Sequence, residues 1–193
     1  MSAQKEKACC FTGHRSSKIP FINDDQHPDT VMLREALEGE IFGYVMSGCH
    51  VFYMGCGEGM DVIFGELVLG IKKRIKGVRL ICVPPYIGFE KTHNEPWRSR
   101  CEAVIRQADE TVNLGDHPVR GGYFIRNRYM VDRATDVLAV YNGGTGGTAY
   151  TLEYASKQNR DITIFSIRNG KLWLTVDCKP DGATQSITSS TGQ

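Results

Sequence analysis

Short apolar runs alternate with longer amphipathic stretches along the chain. The runs 7–13 (KACCFTG), 50–55 (HVFYMG), 78–85 (VRLICVPP), 110–115 (ETVNLG), 136–141 (DVLAVY) and 161–167 (DITIFSI) read as strands. Several are almost continuously apolar, as expected of strands covered on both faces. Between them, residues 29–47 place Val31, Leu33, Leu37, Ile41 and Val45 at near-helical spacing, with Asp29 as N-cap and Gly48 as stop. Residues 60–75 repeat the pattern with Val62, Ile63, Leu67 and Ile71, then close on KKR, a cationic end that suits the helix dipole. Residues 95–108, 122–135 and 148–158 complete the helices, and KLWLTVDC (171–178) reads as one more short strand.

This alternation predicts an α/β fold of three layers, Rossmann-like, with a mostly parallel sheet of about six strands. Residues 1–178 are expected to form a single domain, and the polar, Ser/Thr-rich stretch 179–193 a flexible C-terminal tail. The 193 residues are enough to bury a core of their own. A formal charge of +1 gives no electrostatic footprint for non-specific duplex binding, which needs a strong basic excess. The seven cysteines are odd in number, contain no C-x-x-C pair and lie mostly in apolar runs, the usage of reduced core thiols. The N-terminus lacks a signal-peptide core, and no stretch approaches the ~20 apolar residues of a membrane span. A soluble, cytoplasmic protein with no membrane partner is expected.

Candidate chemistry gathers in three loops that such a fold puts at the carboxyl edge of the sheet, where α/β proteins bind ligands. They are FTGHRSSKIPF after the first strand, GCGEGMD after the second and NGGTGGT after the fifth. Glycine lets backbone amides approach an anion, and a following helix N-terminus adds about half a positive charge. The motifs exclude two common sites. No Walker G-x-x-x-x-G-K-S/T occurs, and Gly55, Gly57 and Gly59 give G-x-G-x-G rather than the dinucleotide G-x-G-x-x-G. Counted about 20 residues on, where a ribose-binding acid belongs, the chain offers KKRIK. Arg126, Asn127 and Arg128 stand one strand before the last glycine loop, and an Arg there can grip phosphate while Asn reads ribose or base. His14 can bond phosphate or act as acid/base. Asp61 can bond a ribose hydroxyl or simply suit a helix start, and Trp97 can stack on a base or anchor a helix. The five histidines show no metal-ligand spacing, so neither a metal nor a cofactor is expected.

Together CCFTGHR, GCGEGMD and RNRYMVDRATDVLAVYNGGTGGTAYTLEYA resemble the YspA/YpsA-like branch of the SLOG superfamily, which unites the LOG phosphoribohydrolases with the DprA DNA-processing proteins. The resemblance runs from about Lys7 to Ile167. It implies a nucleotide or nucleotide-derived ligand of the ADP-ribose kind. The implied site comprises Thr12, Gly13, His14 and Arg15; Gly55, Gly57, Gly59 and Asp61; Arg126, Asn127 and Arg128; and Gly143, Gly144, Thr145, Gly146, Gly147 and Thr148. Relatives of this kind imply a homodimer.

Two alternatives come with the resemblance. LOG-type enzymes cleave the N-glycosidic bond of nucleoside monophosphates with a P-G-G-x-G-T-x-x-E loop, whose acid serves an oxocarbenium-like transition state. Here Asn142 replaces the Pro and one glycine is extra. Thr151 or Tyr150 falls on the acid, depending on alignment. Glu153 is the nearby carboxylate, roughly 200° away around the helix. A hydrolase would need Glu153, Asp61 or Arg126 in unorthodox roles. DprA-like proteins carry R-N-R and a loop whose Thr matches Thr151, on a surface that binds single-stranded DNA. The chain shows no basic strip with interleaved aromatics, so a small-molecule ligand is favoured over nucleic acid.

Overall fold

The computed structural model describes residues 6–168 and 171–173. Seven strands form one sheet: β1 (Ala8–Gly13), β2 (Val51–Met54), β3 (Arg79–Cys82), β4 (Glu110–Thr111), β5 (Asp136–Tyr141), β6 (Asp161–Arg168) and β7 (Lys171–Trp173). Their order is β4-β3-β2-β1-β5-β6-β7. The first six run parallel, and β7 pairs antiparallel with β6. The proposed strand at 171–178 is thus present over its first three residues; its remainder and the expected tail lie outside the described residues.

Five helices cover the sheet: α1 (Pro28–Met46), α2 (Met60–Arg74), α3 (Trp97–Gln107), α4 (Gly122–Arg133) and α5 (Gly147–Lys157). The period of two along β1 explains the layering. Cys9 and Phe11 face a core shared with Leu33, Leu37, Ile41, Ile63 and Val104 of α1, α2 and α3. Ala8 and Cys10 face the other core, with Met130, Val131 and Ala155 of α4 and α5. Helix α1 starts one residue before the expected cap. His27 is its N-cap, Nδ1 accepting from the Asp29 amide at 3.1 Å, and Asp29 stands in the first turn.

The six cysteines within the described residues are free and buried. Burial pushes the thiols of Cys10 and Cys49 up to about 12, the state of inert core groups. No helix among the described residues is long and apolar enough to cross a membrane.

The topology decides where a ligand can sit. From β1 the chain steps outward through β2, β3 and β4, then returns to place β5 on the other side of β1. The loops leaving β1 and β5 therefore part to opposite faces of the sheet and open a crevice between them.

Candidate functional site

A cavity of about 580 Å³ occupies this crevice. The first loop contributes Thr12, Gly13, His14, Arg15, Ser17 and Lys18, and the loop after β2 contributes Gly57, Glu58 and Asp61. Helix α4 presents Tyr123, Phe124, Arg126 and Asn127, and the start of α5 presents Gly146, Gly147, Thr148 and Tyr150.

Its floor is a buried polar network spanning three elements. Asp61 and Arg126 are 7% and 9% exposed, and their Oδ2 and Nη1 stand 3.8 Å apart. Burial raises the Asp61 carboxyl, opposed by Arg126 and by the Gly57 amide, which donates to Oδ2 at 2.9 Å. Burial likewise lowers Arg126, opposed by Asp61. Arg126 also donates through Nη1 to the Gly55 carbonyl and through Nε to Asn127 Oδ1, the latter at 2.7 Å. Asn127 passes the chain on, donating to Thr151 Oγ1 at 2.8 Å, and the Thr151 hydroxyl donates to the Gly147 carbonyl at 2.8 Å. Of the two residues that align with the hydrolase acid, Thr151 is thus a fully buried hydroxyl that fixes the start of α5, and Tyr150 is a phenol on the cavity wall.

Three helices, α2, α4 and α5, start behind a glycine, and the two that follow the glycine-rich loops differ in one respect. Every helix begins with amides that have no partner within it and a partial positive charge. At α2 these are engaged from inside the protein: Asp61 sits in the first turn and the Met60 amide donates to the His14 carbonyl at 3.3 Å. Gly59, with φ of +85°, makes that contact feasible, since a Cβ there would lie 2.6 Å from the Ser16 nitrogen. The first turn of α5 holds no acid and opens on the cavity through Gly147 and Thr148. Lys18 stands over it, with Nζ donating to the Thr145 carbonyl at 2.9 Å.

His14 is buried, and its Nε2 accepts the Asn142 amide at 3.2 Å, joining the first loop to the last. Burial lowers its pKa and Lys18 adds to that, so the ring is a neutral acceptor. Opposite, the rings of Tyr123 and Phe124 are each 42% exposed, enough surface for a flat group to stack on. Tyr123 packs against Phe89 at 5.7 Å with Arg15 5.9 Å from its centroid, and Phe124 meets Tyr150 edge-on at 4.4 Å.

Of the residues singled out from the sequence, Thr12, Gly13, His14, Arg15, Gly57, Asp61, Arg126, Asn127, Gly146, Gly147 and Thr148 line the cavity. Gly55 and Gly59 lie behind it as backbone supports, and Gly143, Gly144 and Thr145 form the outer bend of the last loop, where the Tyr141 hydroxyl donates to the Gly144 carbonyl at 2.6 Å. Arg128 points away, within 6.0 Å of the Tyr150 and Tyr154 rings. Glu153 is exposed and paired with Lys157 at 2.5 Å. Trp97 opens α3 as a buried anchor, donating from Nε1 to Asn23 at 2.9 Å, and does not line the cavity. Sequence reasoning missed Lys18, Glu58 and the Tyr123–Phe124–Tyr150 wall; the short loop spacing from His14 to Lys18 and from Gly57 to Asp61 was the available signal. Packing of α4 on α5 also stacks one cation, Arg128, beside the Tyr150 and Tyr154 rings, a local cluster rather than a basic strip. Among the described residues no three His, Cys, Asp or Glu side chains are grouped to hold a metal ion.

The chain is similar to a UPF0398 protein of Bacillus licheniformis, 22% identical over 89% of this chain and 96% of that one. A UPF0398 protein of Lysinibacillus sphaericus is 20% identical over 81% of this chain and 90% of that one. The fold is shared with DNA processing protein A from Helicobacter pylori, a single-stranded DNA binder, at a TM-score of 0.56 and 14% identity over 87% of this chain and 69% of that one. It is shared also with the Streptococcus pneumoniae protein of that name at a TM-score of 0.56 and 17% identity, over 86% of this chain and 53% of that one. The sequence model of the YspA SLOG family matches residues 9–172, nearly the whole sheet and all three loops, and the chain belongs to that family.

Proposed function

We propose that the protein binds a nucleotide or a nucleotide derivative of the ADP-ribose kind in the cavity between β1 and β5. The observation that carries this reading is the contrast between the two helix starts. At α2 the first-turn Asp61 takes the preceding Gly57 amide and the Met60 amide donates to the His14 carbonyl, while α5 opens on the cavity with no acid of its own, Lys18 beside it and Arg15 on the same cavity. An anion at α5 gains the helix-terminus field and these two cations. The exposed Tyr123 and Phe124 rings supply a stacking wall for a base. Cleavage of a glycosidic bond is disfavoured because Glu153 is solvated and paired with Lys157, and Thr151 is committed to Asn127.

The test is thermal shift of the full chain against nucleoside mono- and diphosphates and ADP-ribose. A ligand at a hundredfold its Kd adds about 2.7 kcal/mol of stability, a shift of several degrees. Absence of a shift with every compound overturns the proposal. A second reading, single-stranded DNA binding, is favoured by the Arg128–Tyr150–Tyr154 stack beside the cavity and by the likeness to the Helicobacter pylori protein. Base–aromatic stacking with Arg is how such surfaces work. It requires salt-dependent retardation of an oligodeoxynucleotide that Arg128→Ala weakens.

A further inference from the structure

Two carboxylates line the cavity, and they are in opposite states. Asp61 is nine-tenths buried, takes the Gly57 amide and stands beside Arg126. Glu58, three residues earlier, is partly exposed and makes no hydrogen bond or ion pair among the described residues. Its backbone is nevertheless held on both sides. The preceding Gly57 amide is bound to Asp61, the following Gly59 packs against the Ser16 nitrogen, and the Gly59 carbonyl accepts from Ile63 at 3.2 Å. A rigid turn thus presents to the ligand space a carboxylate that no donor among the described residues bonds, though its charge acts on His93, which is how a recognition group is preorganised.

The chemistry around Glu58 restricts what it can receive. Arg15, His93 and Arg126 all bear on the neighbouring Asp61 with positive charge, and Arg15 and Arg126 line the same cavity. A ligand ammonium there would meet like charges, and a ligand phosphate would meet the Glu58 carboxylate itself. The group that suits an acceptor-only carboxylate in that field is a neutral donor, and a vicinal diol supplies two O–H donors to its two oxygens. The placement agrees. Glu58 follows β2, the strand beside β1, while the open start of α5 follows β5 on the other side of β1. The ends of β5 and β2 are two strand spacings apart, about 10 Å. A phosphorylated sugar lying across the end of β1 would bring its phosphate to one and its hydroxyls to the other. Open α/β sheets commonly hold a ribose with an acid at this strand.

Resting on the nucleotide-binding reading, we propose that Glu58 accepts the 2′- and 3′-hydroxyls of a ribose, so that the site selects ribonucleotides over 2′-deoxyribonucleotides. A site built to bond a hydroxyl rejects the analogue that lacks it, because its own polar group is left without a partner.

The experiment is titration calorimetry of the full chain with AMP, GMP, CMP and UMP and their 2′-deoxy counterparts, repeated on Glu58→Gln and Glu58→Ala. For whichever base binds, the ribonucleotide is expected to bind about tenfold or more tightly than the deoxy form. In both variants that ratio is expected to fall to within about twofold, the charge-assisted bonds being lost. Equal binding of ribo and deoxy forms by the unaltered protein overturns the role of Glu58 and leaves the nucleotide-binding reading standing. So does a preference that survives in both variants. Failure of every nucleotide and of ADP-ribose to bind overturns both. The ratio in the unaltered protein tests the inference even if a variant folds poorly.

Discussion

The guanidinium of Arg126 fills the space that a side chain at Gly55 would need. Its Nη1 donates to the Gly55 carbonyl across 71 positions of sequence, and a Cβ at Gly55 would collide with that nitrogen. This contact pins α4 under the loop after β2 and sets the floor of the cavity. Gly55→Ala is therefore expected to destabilise the protein by about 3 kcal/mol, as overpacking a rigid site does. In an Arg126→Ala background the same change is expected to cost at least ~1 kcal/mol less, because the space has been vacated. Urea unfolding of the four proteins measures the coupling; additive effects would refute it.

Thr151 joins the same network from α5. Thr151→Val keeps the shape but removes the hydroxyl that accepts from the Asn127 amide and donates to the Gly147 carbonyl, leaving those two only their own long contact at 3.5 Å. A loss of about 1–2 kcal/mol is expected, with weakened nucleotide binding because the start of α5 is less well held. Unchanged stability and affinity would show that the network is ornamental.

His14 makes the last loop sensitive to pH. Its folded pKa is depressed, chiefly by burial, so the unfolded chain binds the proton more readily. The stability it contributes is present above the unfolded value of about 6.5 and is lost as pH falls through the lower folded value. Ligand affinity is expected to drop in the same window, since the protonated ring cannot accept the Asn142 amide. Melting temperature and affinity measured from pH 7.5 down to 5 should fall less steeply in His14→Gln.

Glu66 titrates with the same sign but at lower pH and for a different cause. Burial alone would raise it, but Arg100 and Arg34 hold it below the usual carboxylate range, with contacts at 2.7 and 2.9 Å. This stability is present above the unfolded carboxylate value and is lost as pH falls through the folded one. Glu66→Gln, which loosens the tie between α1, α2 and α3, is expected to cost about 1–2 kcal/mol at pH 7, and the difference should close near pH 3.

Glu153→Gln is expected to leave nucleotide affinity within experimental error, since the carboxylate lies on the solvent side of α5 beside Lys157. A tenfold loss would return the hydrolase reading to consideration.

How much of this was readable in advance differs by element. The six parallel strands and five helices follow from local periodicity. The run Val137–Val140 is apolar because both faces of β5 are covered, and Leu33, Leu37 and Ile41 recur because one face of α1 packs. The loops at the carboxyl edge were visible through their glycines. What escaped was the role of individual side chains within them. Arg126 and Arg128 look alike in sequence, yet two positions on a helix turn one into the cavity floor and the other toward Tyr150 and Tyr154.

The order of apolar and polar residues therefore established the elements, their alternation and the edge of the sheet at which the glycine-rich loops gather, because those depend on neighbours a few positions away. How the loops are held together was decided by contacts between distant segments: His14 receiving the Asn142 amide, and Arg126 reaching Gly55. The physical reason is that hydrogen-bond demand is local to each loop while the groups that meet it arrive from across the fold. Asp61 shows both halves of this, taking the Gly57 amide from its own loop and the Arg126 guanidinium from α4.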